Sequence, residues 1–282
     1  MRAGQASRTA VLVCLGRAVG HKASIAKSFS DPTALALLPD VWRVRVERYD
    51  EKATPKGVRA RIEHAYLRIQ SSLMVARTVE IDDAVRAARA PQLVILGAGL
   101  DGRAWRMEEL RDVAVFEVDH PDTQRDKRSR AGRLTPLAKD IRFVPVDFTR
   151  DSLDDALEKA GHDAKRPTMW IWEGVVMYLS RADVESTLRI IARRSVAGSR
   201  LAITYHAPTP VRWVVGVVVS RLGEPLRSVF RAEEMRTLLA RYGFTVVRDD
   251  DIRGIGAGLS AEMGSRTRRM KHFRIVTAER VT

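Results

Sequence analysis

Four short segments carry side chains whose types and spacing could hold an adenosine-containing ligand. The first is Leu93-Val94-Ile95-Leu96-Gly97-Ala98-Gly99-Leu100-Asp101-Gly102-Arg103, an apolar run feeding a glycine turn that opens a helix. Glycine permits positive φ and close ligand approach, while the free N–H groups of a helix start favour polar or anionic atoms. Gly97, Gly99 and Gly102 satisfy the pattern G-x-G-x-x-G, which serves several nucleotides and also occurs as a tight turn with no ligand. The second segment is Val115-Phe116-Glu117-Val118-Asp119-His120-Pro121, with Asp119 standing 20 residues after Gly99. A carboxylate there can accept hydrogen bonds from both hydroxyls of a ribose. Glu117 lies close by, so the choice of Asp119 rests on its place at a strand end.

The other two segments separate the candidate ligands. Val144-Pro145-Val146-Asp147-Phe148 sets a carboxylate beside an aromatic ring. Asp147 can accept from an adenine amino group, and Phe148 can pack on the base. Trp170-Ile171-Trp172-Glu173-Gly174 ends a further strand in an acid. Glu173 stands where a cationic amino-acid moiety or a sulfonium gains from negative charge. Any one of these acids reads equally well as a helix cap. NAD and S-adenosylmethionine (SAM) share the adenosine ribose, so the glycine turn and Asp119 fit either. Three successive acidic strand ends suit the cationic adenosyl amino acid, and the set points to SAM.

Such residues need a frame. Leu93–Leu96, Val113–Val118, Arg142–Val146, Met169–Trp172 and Leu201–Tyr205 are short β-branched or aromatic runs that read as buried strands. Trp105–Leu110, Gln124–Leu137, Leu153–Ala160 and Asp183–Val196 lie between them with helical spacing. Strands alternating with helices imply a parallel sheet covered on both faces. After the fifth strand, His206 to Phe230 reads as a lid insertion with an apolar run, Val211–Val219. A helix (Arg231–Tyr242) and two strands (Phe244–Arg248, Phe273–Thr277) complete a doubly wound sheet of seven strands. Residues 1–90 show helical spacing over Thr33–Leu38, Val41–Tyr49, Val58–Ser72 and Asp82–Ala90. They predict a helical lobe beside the carboxyl edge of the sheet. The reading is one integrated unit, a lobe over 1–90 and a Rossmann-like domain over 91–282.

Bulk composition narrows the function classes. With 282 residues and 45% hydrophobic content, the chain can bury one substantial core. Lys plus Arg outnumber Asp plus Glu by 49 to 35, a net charge of +14 that favours anionic partners. The single cysteine, Cys14, excludes an internal disulfide and a cysteine-rich zinc site, and a reducing cytoplasm fits it. The apolar runs at Ala10–Leu15 and Val211–Ser220 fall short of the roughly 20 residues of a membrane helix, and no targeting segment is read. The scattered histidines give no metal spacing. Two basic clusters stand out: Arg125, Lys127, Arg128, Arg130 and Arg133 read as a solvated helix face, and Arg266, Arg268, Arg269 and Lys271 as a basic loop that could face an anionic substrate. Neither has the interleaved aromatics of a single-stranded nucleic-acid groove.

The stretches Gly97-Ala98-Gly99-Leu100-Asp101-Gly102-Arg103, Phe116-Glu117-Val118-Asp119-His120-Pro121 and Glu173-Gly174-Val175-Val176-Met177-Tyr178-Leu179 resemble the leucine carboxyl methyltransferase family, in particular its bacterial branch of SAM-dependent O-methyltransferases. The opening Met1 to Ala10, Arg17-Ala18, Asp31-Pro32 and Ala76-Arg77-Thr78 are similar to that branch too. The resemblance spans residue 1 to about 205. It implies a class I methyltransferase fold, SAM as cofactor, and contacts to it from Arg77, Gly97, Asp119, Asp147, Phe148 and Glu173, with Gly99 in the turn. Arg77 would meet the cofactor carboxylate with its forked guanidinium. Gly102 departs from the family, which usually has a small polar residue such as threonine there.

Methyl transfer from a sulfonium is an in-line displacement, so alignment and exclusion of water dominate. A carboxylate acceptor needs no base, whereas a hydroxyl benefits from one. Tyr178, Tyr205 and His206, each just past a strand end, are the candidate pocket residues, with His206 the candidate base and His120 a residue shaping the cofactor turn. The expected acceptor is a small molecule, anionic in one variant; a protein C-terminus is a lesser candidate, and nucleic acid and membrane are not expected. Two alternatives stay open. One is an NAD(P)-dependent oxidoreductase using the glycine turn, for which no Tyr/Lys pair follows the fourth strand. The other is a nucleic-acid-binding protein on a Rossmann scaffold, suggested by the charge alone.

Overall fold

Successive side chains of the central strands point into two different apolar layers, because strand periodicity is two. Leu93 and Ile95 face one layer, Val94 and Leu96 the other, and Met169 and Ile171 divide from Trp170 and Trp172 in the same way. The computed structural model describes residues 7–148, 150–209 and 227–281. Its strands are β1 (Gln92–Leu96), β2 (Ala114–Asp119), β3 (Asp140–Pro145), β4 (Thr168–Trp172), β5 (Arg200–His206), β6 (Phe244–Asp251) and β7 (Phe273–Arg280), in one sheet of order β3-β2-β1-β4-β5-β7-β6. The first five are parallel; β7 runs antiparallel to both β5 and β6. The expected seven-stranded doubly wound sheet is present, and five buried β1 residues in a row explain why its strands read as continuous apolar runs.

One layer is covered by α7 (Leu153–Lys159), α8 (Arg181–Arg193) and α9 (Ala232–Arg241). Val184, Leu188 and Ile191 recur at helical spacing on the buried face of α8, which starts at a Ser180/Asp183 capping box. The other layer is covered by α1 (Arg8–Ala23), α2 (Thr33–Leu37), α3 (Asp40–Arg48) and α4 (Val58–Ala88), joined by α10 (Ile252–Leu259) and α11 (Ala261–Thr267). Short helices α5 (Arg103–Arg106) and α6 (Pro121–Ala131) follow β1 and β2.

Several elements differ from the sequence reading. The apolar stretch at Ala10–Leu15 belongs to α1, started by the Ser7 side chain, which accepts from the Ala10 amide at 3.3 Å. Gly16 and Gly20 of α1 lie against Met74 and Val75, and this close approach packs α1 onto α4. The separate helices expected over Val58–Ser72 and Asp82–Ala90 form one helix of 31 residues. Residues 71–82 of α4 are buried on every side and lack the one-sided pattern from which a surface helix is read. The helix expected over Gln124–Leu137 ends at Ala131, ahead of Gly132. Arg266 lies on α11 instead of in a loop. Lys127 is no solvated residue: it is buried, pairs with buried Glu117 at 2.6 Å and stands 5.1 Å from the Trp105 ring centroid. Most of the expected lid, residues 210–226, lies outside the described residues; at its two ends the Ala207 amide donates to His272 and the Phe230 amide to His206.

Candidate active site

β1 is hydrogen-bonded to both β2 and β4, so the order of strands reverses there and a crevice opens beyond the carboxyl ends. The chain leaves β1 through Gly97, whose φ of +71° suits glycine. The amides of Gly97 and Ala98 both donate to the Val118 carbonyl, at 2.8 and 3.0 Å, tying the turn to the end of β2. A Cβ on Gly97 would collide with Val175, and one on Gly99 (φ +49°) would stand 2.9 Å from the Ala10 Cβ of α1. Asp119 closes the turn from the next strand: its two carboxylate oxygens accept from the Gly99 and His120 amides, each at 2.6 Å. Burial raises the Asp119 pKa, and those two donors oppose the rise.

The crevice holds a cavity of about 330 Å³. Arg77, Gly97, Gly99, Asp119, Asp147, Phe148, Glu173 and Tyr178 all line it. Asp147 receives Arg150 at 3.7 Å, and Phe148 keeps 48% of its surface exposed at the rim. His120 caps α6 by accepting from the Asp122 amide and also lines the cavity. The other two pocket candidates sit elsewhere. Tyr205 is buried, and its hydroxyl donates to Asp249 at 2.7 Å while accepting from Arg274 at 3.0 Å, a purely internal arrangement. His206 packs its ring against Phe273 at 4.6 Å and His272 at 6.2 Å. Burial, with help from His272 and Arg77, pushes its pKa down to about 4.

Behind the cavity wall lies a buried ionic cluster of four arginines and four carboxylates. Glu173 forms an ion pair with Arg77, whose Nε lies 2.7 Å from one of its oxygens, and accepts from Arg103 at 3.0 Å. Arg103 also reaches Asp101, and Asp82 at 2.8 Å; Arg106 holds the other Asp82 oxygen at 2.7 Å. Arg17 pairs with Asp31 at 3.0 Å and donates to the Leu100 carbonyl. Burial alone would raise the pKa of Glu173, but the charges of Arg77 and Arg103 outweigh it and the pKa falls. Burial lowers Arg77, where Glu173 works against the added repulsion of Arg17 and Arg103. The Arg77 Nη groups carry no hydrogen bond among the described residues, and the side chain borders the cavity. The glycine turn thus rests on a neutral, interlocked base.

The sequence reading missed much of this cluster. Arg103, Asp101, Arg17 and Asp31 stand inside the stretches that carry the family resemblance, and nothing in their spacing shows that they meet. Asp82 and Arg106 carry no such signal. The wall supplied by α1 through Ala10, Val13 and Arg17 is equally invisible to periodicity. The Gly102 departure now has a physical reason. A Cβ there would run into the Thr33 hydroxyl, which donates to Asp31 at 2.6 Å. Among the described residues no group of histidine, cysteine and acidic side chains is placed to hold a metal, and no helix is long and apolar enough to cross a membrane.

This sheet order and a crevice of this kind at the ends of β1 and β4 are those of the class I, Rossmann-like SAM-dependent methyltransferases. Comparison with known proteins agrees. The profile of the family described as leucine carboxyl methyltransferase matches residues 10–192. A protein of Mycobacterium sp. (strain JLS), provisionally named an S-adenosyl-L-methionine-dependent methyltransferase, is 33% identical over 227 residues, 80% of this chain and 74% of its own length. A Frankia alni protein with the same provisional description is 36% identical over 184 residues, 62% of this chain and 60% of its own. Among solved structures, a DUF574 family protein from Streptomyces avermitilis shares the fold with a TM-score of 0.60 at 12% identity, with 98% of each chain covered. The chain belongs to the leucine carboxyl methyltransferase family.

Proposed function

We propose that this family member transfers the methyl group of SAM to an oxygen of a small organic molecule, with a carboxylate favoured over a hydroxyl. The observation that carries the reading is the convergence of Arg77, Gly97, Gly99, Asp119, Asp147, Phe148 and Glu173, far apart in the chain, on one cavity. The residues fit the cofactor. Each Asp119 oxygen receives one backbone amide and keeps capacity for a ribose hydroxyl. The bare backbone at Gly97 and Gly99 gives the adenosyl group room, Phe148 offers a ring face beside Asp147, and Arg77 offers its Nη fork to a carboxylate. When bound, SAM supplies an electrophilic methyl on a positively charged sulfur.

The protein's part is to hold, orient and exclude water. Glu173 and Asp101 are fixed in place by Arg77 and Arg103, so little reorganisation accompanies binding. Tyr178 borders the cavity from the turn after β4, where an acceptor can approach. A carboxylate acceptor suits this chemistry because it is ionised at neutral pH. Of the described acids and histidines that line the cavity, Glu173 and Asp101 are bound by arginines, Asp119 accepts backbone amides, Asp147 meets Arg150 and His120 caps α6; the candidate base, His206, lies outside the lining with its ring on Phe273. The name of the family points the same way.

Calorimetric titration of SAM and, separately, NADH into the wild type and Asp119→Ala tests the cofactor. Wild type is expected to bind SAM, and the variant to lose about 10- to 100-fold in affinity with the two ribose bonds gone. NADH binding in place of SAM would sink the reading. Label from methyl-tritiated SAM should then pass to aliphatic carboxylic acids at a higher rate than to the corresponding alcohols.

A further inference from the structure

A second cavity, of about 570 Å³, opens between α4, α11 and the start of β7. Leu73, Met270 and Phe273 give it apolar walls, and Arg266, Arg268 and Arg269 line it with positive charge. Its position is at the same sheet edge as the cofactor crevice. β7 is antiparallel, so its beginning at Phe273 lies beside the carboxyl end of β5, in register with His206. α4 runs past both cavities, contributing Arg77 to one and Leu73 to the other. The His206 ring lies 4.6 Å from the Phe273 ring, which lines this cavity, and is close enough to Arg77 to feel its charge.

Two features call for an anion in this cavity. The Arg266 side chain is only 6% exposed, yet among the described residues its Nε and Nη1 atoms make no hydrogen bond; its contacts to Glu51 and Glu262 all run through Nη2. Buried guanidinium donors without acceptors are costly, and a carboxylate or sulfonate oxygen would satisfy them. Arg268 and Arg269 are exposed and form no ion pair among the described residues. Among the described residues, the only carboxylates that touch the lining arginines are Glu51, shared by Arg68 and Arg266, and Glu262. The polar and apolar parts of the wall together match a molecule with an apolar body and an anionic group.

We infer that this cavity holds the end of the methyl acceptor remote from the methylated oxygen, and that this end is apolar and carries an anionic group. The inference rests on the proposed methyl transfer for its biological role, while the recognition itself can be read separately. The probe is 8-anilinonaphthalene-1-sulfonate, an apolar anion that brightens on desolvation, with neutral N-phenyl-1-naphthylamine as its uncharged counterpart. Both are titrated into the full chain with and without saturating SAM, using wild type, Arg269→Ala and Arg266→Gln. Arg269→Ala guards against misfolding, since that side chain is exposed and makes no ion pair among the described residues.

The expected result is one saturable sulfonate site that persists with SAM bound. Sulfonate affinity should fall at least about fivefold in each arginine variant, the loss of a charge-assisted contact. The neutral dye should be unaffected and SAM affinity unchanged. Displacement of the sulfonate by SAM would place the dye in the cofactor crevice and overturn the inference. Equal weakening of both dyes, or no saturable site, would overturn it too. Sulfonate binding with the expected variant pattern but no SAM binding would uphold the anion site and break the methyl-transfer reading instead.

Discussion

The two cavities on the carboxyl edge treat charge in opposite ways. Beside the glycine turn, Arg17, Arg77, Arg103 and Arg106 each meet a carboxylate, and Asp31, Asp82, Asp101 and Glu173 each meet an arginine. Beside α11, Arg68 and Arg266 share Glu51, with Glu262 as a second partner of Arg266, and among the described residues the exposed Arg268 and Arg269 meet no carboxylate. The comparison teaches what the net charge of +14 alone could not. In the first region basic residues are structural, because desolvated charges must be matched to be tolerated. In the second they are left available to a ligand. A total excess of arginine says little until it is divided between these two uses.

The strongest way to break the comparison is to unbalance the first region. Arg103→Ala removes the side chain that joins Asp82, Asp101 and Glu173, all buried. The expected cost is about 3–5 kcal/mol of stability, measured by urea unfolding, because uncompensated carboxylates remain behind. A loss below ~1 kcal/mol would mean that the cluster is not the base on which the turn rests.

A smaller effect tests whether uncharged burial behaves differently from paired burial. His162 lies beneath the sheet, its Nε2 3.0 Å from Thr168 Oγ1, and burial, with the Arg194 charge adding, pushes its pKa down to about 4. The unfolded side chain titrates near its ordinary value of 6.5, so the unfolded state takes up the proton first as pH falls. The stability contributed by neutral His162 is complete above pH 6.5 and drains away as the pH drops toward 4. Melting temperatures between pH 7.5 and 4.5 should therefore decline less steeply in His162→Gln than in wild type; an identical slope would contradict the assignment. The smallest effect sharpens the second region. Glu51→Gln releases Arg68 and Arg266 from their shared carboxylate and should tighten sulfonate-dye binding about two- to fivefold, a fraction of a charge-assisted bond. Weaker binding in that variant would show that Glu51 positions Arg266 instead of competing for it.

Much of the fold was legible because its strands are buried on both faces. Leu93–Leu96 and Met169–Trp172 announce themselves as apolar runs whatever lies above them. The glycine turn and the acids at strand ends followed, since topology places strand ends together once the strands are known. Tyr205 and His206 show the limit of that logic. Both stand at the end of β5, yet side-chain direction alternates, and one points into the layer beneath while the other stacks on β7. The same limit hid the continuity of α4, whose middle is buried all round, and the helical nature of residues 252–267. Contacts such as Asp82 with Arg103 and Arg106 join α4 to a short helix after β1, and local spacing carries no trace of a partnership made through space.

The wall contributed by α1 has a consequence for how the site comes into being during synthesis. Arg17 reaches the Leu100 carbonyl across 83 positions, and Ala10 rests on Gly99. Glu173 completes the cluster 70 positions beyond Arg103. α1 is made well before these partners, and its buried arginine meets only Asp31 until the turn at Leu100 has been made. Domains tend to fold as units during translation, and contacts this remote in sequence form late. The crevice is thus a last product of folding, and a chain stalled before residue 173 would hold the glycine turn without the carboxylate that joins Arg77 to Arg103 behind it.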